Sequence, residues 1–191
     1  MKTKPSILVV NDDGITATGI KALIEVMSEI GNVTVVAPDG PQSGMGHAIT
    51  IGKPLRFDKV DLYPPIEMYK CSGTPVDCVK LAVNKVFKGK KPDLCVSGIN
   101  HGLNNSINVI YSGTMSAAVE GAIEKIPSIG FSLDDFAQDA DFSHCKKYIK
   151  QIAEQVLEKG LPEGTLLNVN FPKGDQIKGI KICRQANAKW A

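Results

Sequence analysis

Two carboxylates stand side by side at Asp12 and Asp13, directly after the apolar run Ile7-Leu8-Val9-Val10 and between Asn11 and Gly14. Delivered together to the end of a buried strand, they repel each other unless a cation is shared. A hard divalent ion is the simplest remedy. Oxygen donors from Asp, Asn and Ser suit Mg²⁺ or Mn²⁺ and, less well, Ca²⁺, whereas zinc favours His or Cys, and the only histidines are His47, His101 and His144. On these residues alone a second reading has equal weight, in which the pair opens a helix and interacts with its dipole.

Two known phosphotransfer patterns do not fit this pair. A haloacid-dehalogenase-type phosphatase needs its two aspartates two positions apart. A response-regulator receiver needs a phosphoacceptor Asp at the end of a later strand, where this chain has Ser97-Gly98.

Two further segments carry polar chemistry. Pro38-Asp39-Gly40-Pro41-Gln42-Ser43-Gly44-Met45-Gly46-His47 offers flexible backbone and, at Ser43, a hydroxyl able to ligate a hard ion, although such a composition more often makes a plain surface turn. Ser97-Gly98-Ile99-Asn100-His101-Gly102-Leu103-Asn104-Asn105 sets amides and glycines after a strand, and Tyr111-Ser112-Gly113-Thr114 then opens a helix with hydroxyls and bare backbone. Free N–H groups and the dipole at such a start favour phosphate. Ordinary capping by Ser112 accounts for the same residues without any ligand.

The elements that must position these residues alternate between apolar β-branched runs and helix-period stretches, the pattern of βαβ units on a parallel sheet. Strands are expected over 7–10, 33–37, 93–97, 128–133, 166–171 and 177–183. Helices are expected over 19–30, 75–87, 112–126 and 142–159. In the first helix Ile20, Leu23, Ile24, Met27 and Ile30 make one face and Gly31 closes it; Thr74 and Pro75 open the second. Residues 49–71, broken by Pro54 and Pro64-Pro65, read as a β-rich excursion, and 98–111 as a loop. Because the acids and both polar segments follow strands, they belong on one sheet edge, where ligands of such folds sit.

At 191 residues the chain suits one α/β domain with a sizeable core. A formal net charge of +2 provides no basic field for a nucleic acid polymer. Five cysteines without a CxxC pair read as reduced thiols, the run 7–10 is stopped by polar residues too early for a signal peptide, and no stretch reaches membrane-spanning length. A cytoplasmic address with no membrane partner is therefore expected.

Five blocks together resemble a known family. Asn11-Asp12-Asp13-Gly14, Ala37-Pro38 with Gln42-Ser43-Gly44, Ser72-Gly73-Thr74-Pro75 with Asp77-Cys78-Val79, Ser97-Gly98-Ile99-Asn100 with Gly102 and Asn104, and Tyr111-Ser112-Gly113-Thr114 stand in the order and spacing of the SurE family, the survival protein E 5'-nucleotidases. The likeness extends to Asn168-Val169-Asn170-Phe171-Pro172 and Cys183-Arg184-Gln185. It implies a Rossmann-like three-layer α/β/α fold with a mainly parallel sheet, and a metal-dependent phosphatase of nucleoside 5'-monophosphates. It further implies one divalent cation, Mg²⁺ or Mn²⁺, and a homodimer or higher homo-oligomer. Carried over by position, Asp12, Asp13, Ser43 and Asn100 are the expected metal ligands, and Asn104, Ser112, Gly113 and Thr114 the expected phosphate pocket. Thr74 and Asp77 match the family pattern without an assigned chemical role. Ser106 replaces a glycine of the family loop, and the chain stops at Trp190-Ala191 where members usually continue through a hairpin and helix. A single domain lacking that C-terminal extension is the expectation.

The implied mechanism is attack of water on a phosphomonoester, with Asp12 and Asp13 as catalytic residues and Asp12 preferred as proton acceptor. His101 either protonates the leaving alkoxide or is a solvent-facing loop residue. A short-chain polyphosphatase, a 3'-nucleotidase and a non-catalytic nucleotide-binding module are the rival readings.

Overall fold

The computed structural model of the chain describes residues 4–174 and 176–186. In chain order its elements are β1 (Ser6–Val10), α1 (Thr18–Ile30), β2 (Asn32–Pro38), β3 (Phe57–Val60), β4 (Glu67–Cys71), α2 (Pro75–Leu81), a π-helical turn (Ala82–Val86), β5 (Leu94–His101), α3 (Asn108–Tyr111), α4 (Gly113–Ile123), β6 (Ser128–Leu133), α5 (Ser143–Lys159) and β7 (Leu167–Phe171). The strands form one sheet in the order β3-β4-β2-β1-β5-β6-β7. Every pairing is parallel except that of β3 with β4. The segment expected as a β-rich excursion thus rejoins the sheet, because β4 pairs with β2.

A strand buried on both faces needs apolar residues throughout, and Ile7, Leu8, Val9 and Val10 have no exposed surface. Ile7 and Val9 face a core shared with α1 and α5, whereas Leu8 and Val10 face one shared with α2 and α4. The result is a three-layer α/β/α arrangement. β1 lies between β2 and β5, so the strand order reverses there and a crevice opens above the carboxyl ends of β1 and β5.

β5 carries an irregularity that matters for the site. Its register with β6 runs from Ser97 opposite Gly130 to Asn100 opposite Ser132, so β5 has one extra residue, a β-bulge. Before it, Leu94 and Val96 face the α1–α5 core; regular alternation would turn Ile99 away, yet Ile99 lies in that same core. The bulge has reversed the alternation. Asn100 consequently faces the α4 side together with its neighbour Ser132, and His101 faces α1 and α5. Gly98 permits this, with φ at +129° and its α-carbon so close to β6 that a Cβ would lie 2.3 Å from the Phe131 carbonyl oxygen.

The elements expected from sequence are present with one exception. No strand forms over 177–183, where the described chain is irregular and Ile182 is 97% exposed. Its alternating apolar residues have no neighbouring strand to pair with, and a lone strand is not stable in water. The tail is held instead by Tyr148, whose hydroxyl donates to the Ile177 carbonyl oxygen at 2.8 Å, and by Gln185, whose amide donates to that of Ser106 at 3.1 Å. Two boundaries also move. β5 runs on to His101 and α3 forms inside the expected loop, while the second helix is α-helical only to Leu81.

Candidate active site

Asp12 sits two residues beyond β1 and is 3% exposed. Its Oδ1 accepts a hydrogen bond from the Thr114 hydroxyl, and the backbone N–H groups of Gly113 and Thr114 also favour its charge. The start of α4 can come this close only because residue 113 is glycine: a Cβ there would lie 2.6 Å from the Asp12 Cβ. Burial nevertheless outweighs these bonds and raises the Asp12 carboxyl above the usual range. Asp13, less buried, is pushed up to about 6, first by burial and then by the Asp12 charge, against the opposing pull of the His101 ring and backbone N–H.

Two carboxylates held this way raise the free energy of the ionised site, and a cation would relieve it. The neighbouring donors fit one. Asn11 closes the turn with its amide on the Gly14 carbonyl oxygen at 2.8 Å, and its own Oδ1 is buried without a donor among the described residues. Asn100 spends its amide N–H groups on the carbonyl oxygens of His101 at 3.1 Å and Gly102 at 2.8 Å, so its Oδ1 is the atom left to act as an acceptor. Ser43 is exposed, and the Gln42 N–H ties its loop to the Asp12 carbonyl oxygen at 2.7 Å. Among the described residues no three His, Cys, Asp or Glu side chains converge, so the donor set is two carboxylates with neutral oxygens. That is the chemistry of a hard divalent ion and not of zinc.

The residues expected to bind phosphate divide into two groups. Ser112 caps α4, accepting from the Met115 N–H at 3.0 Å, and its hydroxyl hydrogen remains to donate. Asn104 is 6% exposed and fixed from three sides. Its N–H donates to Asn170 Oδ1 at 2.9 Å, its amide to Ser132 Oγ at 2.9 Å, and its carbonyl oxygen accepts from Asn168 at 2.6 Å. Gly113 and Thr114, by contrast, are gathered against Asp12, so they hold the carboxylate that an anion would otherwise replace.

His101 faces α1 and α5, away from Asn100, while its ring and backbone N–H still act on Asp13. Its ring meets Phe142 edge-on at 5.2 Å, with Nε2 3.5 Å from Thr18 Oγ1. Thr74 and Asp77 lie elsewhere too, as a capping box of α2 whose Asp77 carboxylate also accepts from the Thr50 hydroxyl at 2.6 Å. Ser132, Asn168 and Asn170 hold Asn104 in place; the resemblance included Asn168 and Asn170 without giving them a role, and Ser132 was passed over. They were visible as polar residues at alternate positions of strands otherwise apolar, which places them on one face.

Residues 7–191 match the family described as Survival protein SurE. The chain belongs to the SurE family. It is 65% identical to the 5'-nucleotidase SurE of Cytophaga hutchinsonii over 98% of this chain and 73% of that protein. The 5'-nucleotidase SurE of Porphyromonas gingivalis is 47% identical over all of this chain and 74% of its own length. The crystal structure of the SurE protein from Aquifex aeolicus, at 44% identity, superposes with a TM-score of 0.87 over 96% of this chain and 73% of that one. The α/β/α architecture and its switch-point crevice are thus those of a SurE fold.

Proposed function

We propose that this chain hydrolyses nucleoside 5'-monophosphates to nucleoside and phosphate in a reaction dependent on Mg²⁺ or Mn²⁺. What supports the reading is the pair Asp12 and Asp13 at the end of β1, with Asn100 on the neighbouring strand β5 at the same switch point, in a chain whose relatives bear the name 5'-nucleotidase. Asp12, Asp13, Ser43 and Asn100 would hold the cation, which when bound supplies charge neutralisation and a more acidic water. The Ser112 hydroxyl and the Asn104 amide are disposed to donate to the non-bridging phosphate oxygens.

Water attacks phosphorus, the bond from phosphorus to the 5'-oxygen breaks, and the leaving oxygen takes a proton from solvent. Asp13 is the better acceptor of the water's proton, because Asp12 is nearly sealed and already bonded to Thr114. That reverses the preference drawn from sequence. His101 packs on Phe142 and also acts electrostatically on Asp13, and it is assigned no proton transfer in this step. We further read residues 1–191 as one catalytic domain working in the cytoplasm as a homo-oligomer; among the described residues no helix is long and apolar enough to cross a membrane.

Phosphate release from AMP, a 3'-nucleotide and tripolyphosphate, with Mg²⁺ or Mn²⁺ and again after chelation, tests the reading. Metal-dependent release greatest from AMP is expected, and no release from any of them would overturn it. The Asp12→Asn variant should fold and lose turnover by roughly a hundredfold or more, the cost typical of a group acting at the reacting centre.

A further inference from the structure

Three acids are buried among the described residues. Asp12 belongs to the metal site and Asp77 to the capping box. Glu120, 2% exposed in α4, is left without an assigned task. A buried carboxylate is retained only when it is paired. Its two partners come from other parts of the chain: Lys80 Nζ of α2 lies 2.6 Å from Oε1, and His47 Nε2 lies 2.9 Å from Oε2. Both partner side chains are more than a third exposed, so only Glu120 is committed to the interior. Lys80 offsets its charge; His47 is the contact that reaches toward the site.

His47 ends the loop that carries Ser43. That loop is fastened in its middle by the Gln42 N–H on the Asp12 carbonyl oxygen at 2.7 Å, and near its end by the Gly46 N–H on the Tyr111 carbonyl oxygen at 3.1 Å. His47 on Glu120 fastens its far end to the helix whose first turn holds Asp12. Beyond it the Thr74 hydroxyl takes the Ala48 carbonyl oxygen at 2.6 Å. Glu120 stands seven residues after Gly113, two turns along the same stripe of α4. One helix thus sets the Asp12 carboxylate with its first turn and the Ser43 loop with its second and third.

We propose that Glu120 is a positioning residue for metal binding: through His47 it anchors the Ser43 loop to α4, so that Ser43 meets the cation already ordered. The inference rests on the reading of Ser43 as a metal ligand. Loss of an outer partner typically costs metal affinity or activity, and because Glu120 and His47 touch no reacting atom the loss here falls on affinity.

The experiment measures Mn²⁺ binding by calorimetry and the Mn²⁺ dependence of AMP hydrolysis, on the full chain and on five variants. Glu120→Gln and His47→Ala should each weaken Mn²⁺ binding roughly tenfold while kcat at saturating metal stays within about twofold, and the double variant should be no worse than either alone. His47→Gln, whose amide still reaches Glu120, should restore most of the affinity. Lys80→Met removes the charge partner without touching the loop, so it should lower the melting temperature and leave Mn²⁺ affinity unchanged. Unaltered Mn²⁺ affinity in His47→Ala, or an equal loss in Lys80→Met, would overturn the proposal by reducing Glu120 to a packing group. Should Glu120→Gln fail to fold, the His47 pair decides. Absence of AMP hydrolysis in the unaltered chain would sink the functional reading alone, because the binding isotherms still report on Glu120.

Discussion

At the scale of single residues, the crevice holds two carboxyls that are costly to ionise, a cost that a cation would relieve. Asp13 is pushed up to about 6 by burial and by Asp12, and Asp12 itself is raised by burial. An acid whose carboxyl is raised on folding favours the folded state at low pH, and that advantage disappears as pH climbs from the unfolded value through the folded one. The metal-free protein should therefore melt at a higher temperature near about pH 5 than near about pH 7.5, and Mn²⁺ should stabilise it most at the higher value, where no proton competes. Thermal melts at both values, with chelator and with Mn²⁺, measure this. An Mn²⁺ effect equal at both would contradict it. Gly113 supports the same pair sterically. Gly113→Ala should cost about 1–3 kcal/mol in denaturant unfolding, because the added methyl meets the Asp12 side chain and must displace either it or the helix start.

At the scale of elements, most of what positions the site was legible and one part was not. The strand Ile7–Val10 and the helix with Ile20, Leu23, Ile24 and Met27 declared themselves because burial on two faces or on one stripe leaves a period in the sequence. Ser112 as a cap was legible for the same local reason. The bulge in β5 was not, since nothing in Ser97-Gly98-Ile99-Asn100 says which strand lies alongside or where its register slips. Direction was lost with it, so His101 was weighed as an acid beside Asn100 when it faces the opposite layer. The strand expected over 177–183 failed on the converse ground, as alternation describes a surface and a partner edge must still supply it. Asp77, left without a role by motif reading, closes the capping box and also accepts from the Thr50 hydroxyl and N–H, pinning the segment after the Ser43 loop to α2. Asp77→Ala should accordingly cost about 1–2 kcal/mol of stability and leave Mn²⁺ affinity near that of the unaltered chain. Chemical denaturation and calorimetry together check it.

At the scale of the whole molecule, two halves of a sheet meet at β1 and β5, and each half brings a different kind of group. The β1 side supplies charge, in Asp12 and Asp13. The β5–β6–β7 side supplies neutral polar groups in a row across three strands, Asn100 opposite Ser132 and Ser132 opposite Asn170. The single extra residue in β5 is what sets that row on the same face as Asp12. The hydrophobic core before it and the ladder with β6 after it are each complete, so the extra residue acts as a parity switch between them. Removing one residue at that point would exchange the outlooks of Asn100 and His101 while deleting neither. A change of one in a count would thus leave Asn100 written in the sequence but pointing into the wrong layer, while Asp12 and Asp13 stay where β1 puts them.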